Sequence, residues 1–175
     1  GAVGVVNLAA RRLGLHPLAA ATAALLLAFA PSFWGEANVQ RVYALNGLFA
    51  ALAALVAFHW HRSGSDRALV LAVFLCGLGA TNHTVMAIYG VALGLFALAT
   101  RPGLLRRWRV LVAAGAAFAA GLLPYLYLPI RARFDPPLDW SNPETPRALL
   151  RVVLRSDFWE LRWIESPADL VPIAW

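Results

Sequence analysis

Lysine is absent from the 175 residues, so the net charge of +6 and the isoelectric point near 10.7 rest on arginine alone. Charge of either sign is scarce, at 14% of residues, where soluble domains carry about a quarter. With 61% hydrophobic residues and a mean hydropathy of +0.65, this excludes an ordinary soluble domain. Cysteine occurs once, as Cys76 inside an apolar run, which rules out an intrachain disulfide and leaves the redox compartment open. A glycine-rich phosphate loop with lysine, a Cys/His cluster at zinc spacing and a Gly-x-Ser-x-Gly elbow are all missing. The soluble-enzyme templates fall away with them, and no metal or cofactor is expected. So basic a chain raises the question of nucleic acid. Its arginines, however, flank apolar runs, where membrane orientation accounts for them, and no nucleic-acid partner is expected.

What remains is a set of apolar runs that predict an all-α, polytopic integral membrane protein. GAVGVVNLAA reads as the end of a helix that begins before Gly1, stopped by Arg11 and Arg12, and it lacks the charged start of a signal peptide. The chain is thus expected to be a fragment. Pro17 suits the first turn of a second helix, whose run LAAATAALLLAFA reaches Pro31 and, with Phe33 and Trp34, approaches the roughly 20 residues that a spanning helix needs. Val42–Trp60 is a third. From Ala68 the chain stays apolar for about 30 residues, too long for one helix, and GATNHT interrupts it, so two spans are expected to meet at a polar kink. RPGLLRRWR closes that pair, and Val110–Leu128 follows, ending in PYLYLP. The division expected is a transmembrane region over 1–130, of about five spans with the first cut short, and an outer-face loop with an amphipathic helix over 131–175.

Arginine placement sets the orientation. Arg11 and Arg12, then Arg62 and Arg67, then Arg101, Arg106, Arg107 and Arg109 fall at every second boundary, as expected of cytoplasmic loops. The other boundaries share the opposite face, and that face holds most of the polar chemistry. PSFWGEANVQRVYALN, from Pro31 to Asn46, gathers Glu36, Asn38, Gln40, Arg41, Tyr43 and Asn46 between two apolar runs, and polar groups at a membrane boundary need partners there. The plain alternative is a wet loop anchored by Trp34 and Tyr43. Asn82 and His83 lie in the kink on the same face. A lone histidine there is either a hydrogen-bonded structural residue or a ligand.

Most acidic residues lie beyond Pro129. RARFDPPLDWSNPETP is rich in proline, which fixes its own backbone and biases its predecessor, so an ordered loop is expected. ETPRALLRVVLRSDFWELRW then reads as an amphipathic helix starting near Thr145 or Pro146. Leu149, Val152, Val153 and Leu154 lie toward one side, with Arg147, Arg151 and Arg155 on another. Such a helix can lie on the membrane surface or over an active site.

The runs FWGEANVQRVYALNGLF, GLGATNHTVM and LLPYLYLPIRARFDPPLDWSNPETP, in this order, resemble the transmembrane-protein-260-like O-mannosyltransferases and their bacterial domain-of-unknown-function members in the GT-C glycosyltransferase superfamily. The similarity covers about Leu13 to about Phe158. It implies a GT-C-like fragment of an enzyme in the bilayer, taking a sugar, mannose among the options, from a polyprenyl-phosphate carrier to a hydroxyl of a protein or glycan. It further implies a bacterial cell membrane, with the active face periplasmic or extracellular. The family carries an acidic residue just before the Val-Tyr pair, where this chain has Arg41, with its carboxylate at Glu36 instead. The catalytic carboxylate is expected upstream of Gly1, leaving Glu36 as the fallback within the chain. Such transfer asks for a base, a cation on the leaving phosphate and hydrogen bonds to the sugar. Arg41 and Arg131 are the phosphate candidates, and Tyr43, Asn46, Asn82 and His83 the donor-ordering ones. Asp139, Trp140 and Asn142 would form one wall, Trp140 stacking on a sugar ring or serving as an interfacial anchor. Arg131 has its own plain alternative, a helix-end anchor. A transporter or a non-catalytic membrane scaffold are the rival classes. A transporter site would lie near mid-membrane and recur in a second half, yet no internal repeat is visible.

Overall fold

The computed structural model describes residues 1–39, 41–139 and 141–156. Among them the chain is helical, with nine α-helices and two short 3-10 turns and no strand. The residues fall into two compact units, Gly1–Pro124 and Tyr125–Trp175.

The first unit contains α1 (Ala2–Arg12), α2 (Pro17–Ala28), α3 (Pro31–Ala37), α4 (Tyr43–Ser63), α5 (Asp66–Asn82), α6 (Val85–Thr100) and α7 (Trp108–Gly121). Local chemistry sets the starts and stops. His16 caps α2, its Nδ1 accepting from the Leu18 N–H at 3.3 Å, and Pro17 stands at the first position, where no amide donor is needed. Gly64 ends α4 at φ +70, a left-handed conformation that costs glycine little. α5 then runs from Asp66 and α6 packs beside it, with α5 wedged between α4 and α7, and α1 lying on α4.

The interior is built from small residues. Ala20 and Ala53 are fully buried, and Ala57, Ala72, Cys76 and Ala80 nearly so, while Leu18, Leu26, Ile88 and Leu95 are about two-thirds or more exposed. This inverts the soluble pattern. Where the surroundings are themselves apolar, large aliphatic side chains gain nothing by turning inward, and small residues let helix backbones approach and gain dispersion contact. Gly77 and Gly121 mark the closest approach. A Cβ on Gly77 would fall 2.3 Å from the Phe118 carbonyl oxygen, and one on Gly121 2.5 Å from the Leu78 nitrogen. Two clusters fill the bundle. One, around Trp60, Leu69, Ala97 and Leu104, lies toward the α4 C-terminus. The other, around Ala53, Cys76, Ala80 and Met86, lies toward the α5–α6 break.

Tyr43–Ser63, with 21 residues, and Trp108–Ala132, with 25, are long and apolar enough to cross a membrane. The second apolar run does not continue straight through Pro31. α2 and α3 are bent by 61° at Phe29–Ala30, because Pro31 cannot donate to the preceding turn, and only together do they qualify as one span. The apolar stretch after Ala68 is divided between α5, of 17 residues, and α6, of 16.

The second unit holds a 3-10 turn at Leu123–Leu126 on its boundary, α8 (Tyr127–Ala132) and α9 (Pro146–Val153). Thr145 caps α9, its Oγ1 accepting from the Ala148 N–H at 3.2 Å, with Pro146 at the first position, where the sequence places the start. The helix ends sooner than the pattern suggests. Leu154 is its C-cap and is exposed, and Arg155 stands at φ +54, so the turn after Val153 leaves the helical path. The rest of the anticipated helix, from residue 157 on, lies outside the described residues. The loop before α9 turns through Asp135, Ser141 and Asn142, all at positive φ, two of them types whose short polar side chains tolerate that region.

Candidate functional site

The polar groups of the first unit meet where α3 ends, α4 begins and α5 gives way to α6. The sequence treats Glu36 as part of a loop, but it lies on α3, within a seven-residue helix that Pro31 opens and Asn38 closes. The Asn38 side-chain amide donates to the Trp34 carbonyl at 2.8 Å. Trp34, more than half exposed, stacks on Phe29 with ring centroids 5.7 Å apart across the bend. α3 lies against α4 at Gly47, where a Cβ would meet Phe33 Cε2 at 3.6 Å. Beyond α3, Arg41 Nη1 lies 3.8 Å from Glu36 Oε1, a loose pair with both side chains well exposed. An ion pair of that kind contributes little to stability, so the guanidinium is free to exchange partners.

The opening of α4 is tied to the α5–α6 break. The Val42 carbonyl accepts the first intrahelical bond, from the Asn46 N–H at 2.9 Å, and also the side-chain amide of Asn82 at 2.9 Å. One residue on, the Tyr43 ring lies 5.7 Å from the His83 ring at 41°. His83 is held by its own backbone: its N–H donates to the Gly79 carbonyl, closing α5, and its carbonyl accepts from the Met86 N–H, starting α6. Its Nδ1 accepts from the Val85 N–H at 3.2 Å, so the neutral ring carries its proton on Nε2. Tyr89 anchors α6 to α4 a turn deeper, its hydroxyl donating to the Ala50 carbonyl at 3.2 Å.

Two acceptors in this region, Glu36 Oε2 and Asn46 Oδ1, are shielded atoms with no hydrogen-bond partner among the described residues. Shielded polar atoms are nearly always paired, and an unpaired one at a polar cluster marks a place where a donor belongs. Carboxylate and amide oxygens are the groups that accept from sugar hydroxyls. The same cluster holds a guanidinium, a phenol and an imidazole.

The structure thus brings together Glu36, Arg41, Tyr43, Asn46, Asn82 and His83, all on the first unit. Arg131, Asp139 and Asn142 belong to the second: Arg131 sits exposed in the last turn of α8, Asp139 is half-buried, and the Asn142 carbonyl accepts from the Glu144 N–H at 2.9 Å. Trp140 and Gln40 lie outside the described residues. Among the described residues no His, Cys, Asp and Glu side chains cluster as a metal would require. Sequence reasoning missed Val42, whose role is carried by a main-chain carbonyl with no side-chain signature. It also missed the stacking of Trp34 on Phe29, which needs the 61° bend.

A bundle with small residues inside, large aliphatic ones outside and helices of membrane-crossing length defines a polytopic α-helical membrane protein. More particularly, the chain belongs to the family described as the protein O-mannosyl-transferase TMEM260 N-terminal domain, whose family model matches residues 7–104. It is 30% identical over 148 residues to the Protein O-mannosyl-transferase TMEM260 of Mus musculus, a match covering 78% of this chain and 20% of that protein. The chain therefore spans about a fifth of the length of this curated relative. No solved structure gives a significant match.

Proposed function

We propose that this chain is part of a membrane glycosyltransferase that moves a sugar, mannose on the wording of its relative's name, from a polyprenyl-phosphate carrier to a hydroxyl of a protein or glycan. The reaction takes place on the periplasmic or extracellular face, above a membrane region over 1–130 of about five crossing segments, with 131–175 on the same side. The acceptor oxygen attacks the anomeric carbon, the bond from that carbon to the phosphate oxygen breaks, and the phosphate leaves with the electron pair. The acceptor's proton passes to a carboxylate, supplied from outside this chain or by Glu36. Arg41 or Arg131 holds the leaving phosphate, since a guanidinium matches two phosphate oxygens at once. Tyr43, Asn46, Asn82 and His83 order the donor sugar, with Asp139, Trp140 and Asn142 along one wall.

The observation that carries this reading is the gathering at one end of the bundle of a loosely paired Arg41, the Tyr43–His83 pair and the unpartnered Asn46 oxygen. Membership of the O-mannosyl-transferase family supports it. A transporter would place such groups at mid-depth rather than at a helix-end boundary.

Single alanine substitutions at Arg41, Asn82, His83 and Arg131 in the intact protein test the site through rates of sugar transfer. Preserved folding with transfer reduced at least about tenfold is expected for residues that stabilise the transferring group. Unchanged transfer in all four sinks the assignment. Arg131→Lys sharpens the result: a phosphate clamp loses donor affinity without its two-pronged geometry, whereas an interfacial anchor keeps wild-type values.

A further inference from the structure

The opposite end of the first unit carries a second chemistry, independent of the sugar-transfer site. α4 runs for 21 residues from the Tyr43 cluster to Ser63, so this end lies about 30 Å away. Here a cleft of about 760 Å³ opens between the C-terminal turns of α1 and α4 and the first turn of α5. Its rim carries Arg12, Arg62 and Arg67 with Ser63 and Ser65, and among the described residues no carboxylate lines it. Asp66, beside Arg67 in the first turn of α5, is engaged by Arg107 at the start of α7. The cleft wall is apolar, formed by Leu8, Leu55, Phe58 and Leu71.

The three arginines are not equivalent. Arg62 donates through Nη1 to the Arg12 carbonyl at the C-terminus of α1, a structural cap that holds α1 to α4. The side chains of Arg12 and Arg67 make no hydrogen bond or ion pair among the described residues. Two unpaired guanidinium groups above an apolar cleft at a membrane boundary are an uncompensated positive site. A free anion would satisfy the arginines but leave the walls of Leu8, Leu55 and Leu71 without a partner. A molecule with a phosphate at one end and a hydrocarbon chain at the other satisfies both.

We propose that this cleft binds an anionic glycerophospholipid of the surrounding bilayer, its phosphate between Arg12 and Arg67 near the Ser63 and Ser65 hydroxyls, with one acyl chain along Leu8, Leu55 and Leu71. The pairing joins charge-assisted hydrogen bonds to hydrophobic burial, the two contributions by which basic pockets between membrane helices select acidic lipids. Bound there, the lipid bridges α1, α4 and α5 and reinforces the contact that Arg62 makes.

The test uses the intact protein, purified and delipidated, with native mass spectrometry reading lipid retained at increasing activation. Phosphatidylglycerol and phosphatidylcholine are compared on the wild type and on the double variant Arg12→Gln, Arg67→Gln, which keeps long polar side chains but removes both charges. The wild type is expected to retain phosphatidylglycerol over phosphatidylcholine, and the double variant to lose about tenfold of that preference, the worth of about 1.4 kcal/mol. Equal retention of the two lipids by the wild type overturns the proposal, as does an unchanged preference in the double variant. Complete displacement of phosphatidylglycerol by millimolar inorganic phosphate also overturns it, by reducing the site to an anion site. Should the double variant not fold, Leu55→Trp, which fills the acyl wall and leaves the charges, must lower phosphatidylglycerol retention; wild-type retention in that variant counts against the proposal.

Discussion

The side-chain amide of Asn82 donates to the main-chain carbonyl of Val42 at 2.9 Å, joining the end of α5 to the start of α4 across 40 positions of sequence. The carbonyl already receives the Asn46 N–H, so the bond adds a second donor to a satisfied acceptor and its removal strands no buried oxygen. Asn82→Ala is therefore expected to cost only about 1 kcal/mol of stability. Sugar transfer is expected to fall further than that loss accounts for, because the contact sets the register of Tyr43 against His83. Asn82→Asp places an acceptor against an acceptor and is expected to be worse than alanine. Melting temperatures in detergent beside transfer rates for the two variants decide it; parallel losses of stability and activity would reduce Asn82 to a structural tie.

The α5–α7 contact depends on two missing side chains. Gly77→Ala drives a methyl to 2.3 Å from the Phe118 carbonyl oxygen, and Gly121→Ala places one 2.5 Å from the Leu78 nitrogen and 2.6 Å from the Phe74 carbonyl oxygen. Because the obstacles are backbone atoms, the helices must separate, at a cost of about 1–3 kcal/mol or more. Gly115 on the same α7 has nothing within 4 Å of its Cβ position, so Gly115→Ala is expected to be neutral or to gain up to about 1 kcal/mol from helix propensity. Unfolding midpoints of the three variants in mixed detergent give the comparison, and equal effects at Gly77 and Gly115 would remove the close-packing account.

Arg101 locks the far end of the bundle. Its Nη2 donates to the His61 carbonyl at 2.7 Å, and its guanidinium lies over the Trp60 ring at 5.3 Å. Arg101→Lys keeps the charge but loses the planar face and is expected to cost about 1 kcal/mol. Gly64→Ala suffers both from its φ of +70 and from a contact of 2.6 Å with Arg101 Nη1. Combining Gly64→Ala with Arg101→Ala relieves the contact but not the backbone strain. The double variant is expected to be less destabilised than the sum of the singles. A double-mutant cycle on thermal stability measures that coupling, and strict additivity would show that the two residues do not meet.

Orientation is testable without activity. With the buried Cys76 replaced by alanine, Asn38→Cys is expected to react with a membrane-impermeant maleimide from the outer side, and Gly103→Cys only after permeabilisation. Both positions are exposed, so accessibility to reagent is set by the membrane and not by packing. The reverse pattern inverts the arginine-based orientation and moves the proposed sugar-transfer site to the other face.

The sequence alone determined the class of this protein and the starts of α2 and α9. Scarce charge and long apolar runs leave a chain no stable arrangement in water, and Pro17 and Thr145 act through backbone geometry confined to a few neighbours. The polar break at Asn82 and His83 was equally legible, since amides and imidazoles between apolar runs cannot continue into lipid unsupported. The quoted runs also sufficed for the family resemblance. Only the tertiary structure decided that Glu36 belongs to a helix, that α2 and α3 bend by 61°, and that Asn82 reaches Val42 while Tyr43 faces His83. It also decided the arginine cleft, where Arg12 lies 50 positions from Arg62 in sequence yet shares one rim with Arg62 and Arg67 in space. The contacts between helices share one physical reason: they depend on how closely helices approach, and that distance is set by the buried alanines, small residues that no side-chain pattern separates from the alanines facing lipid.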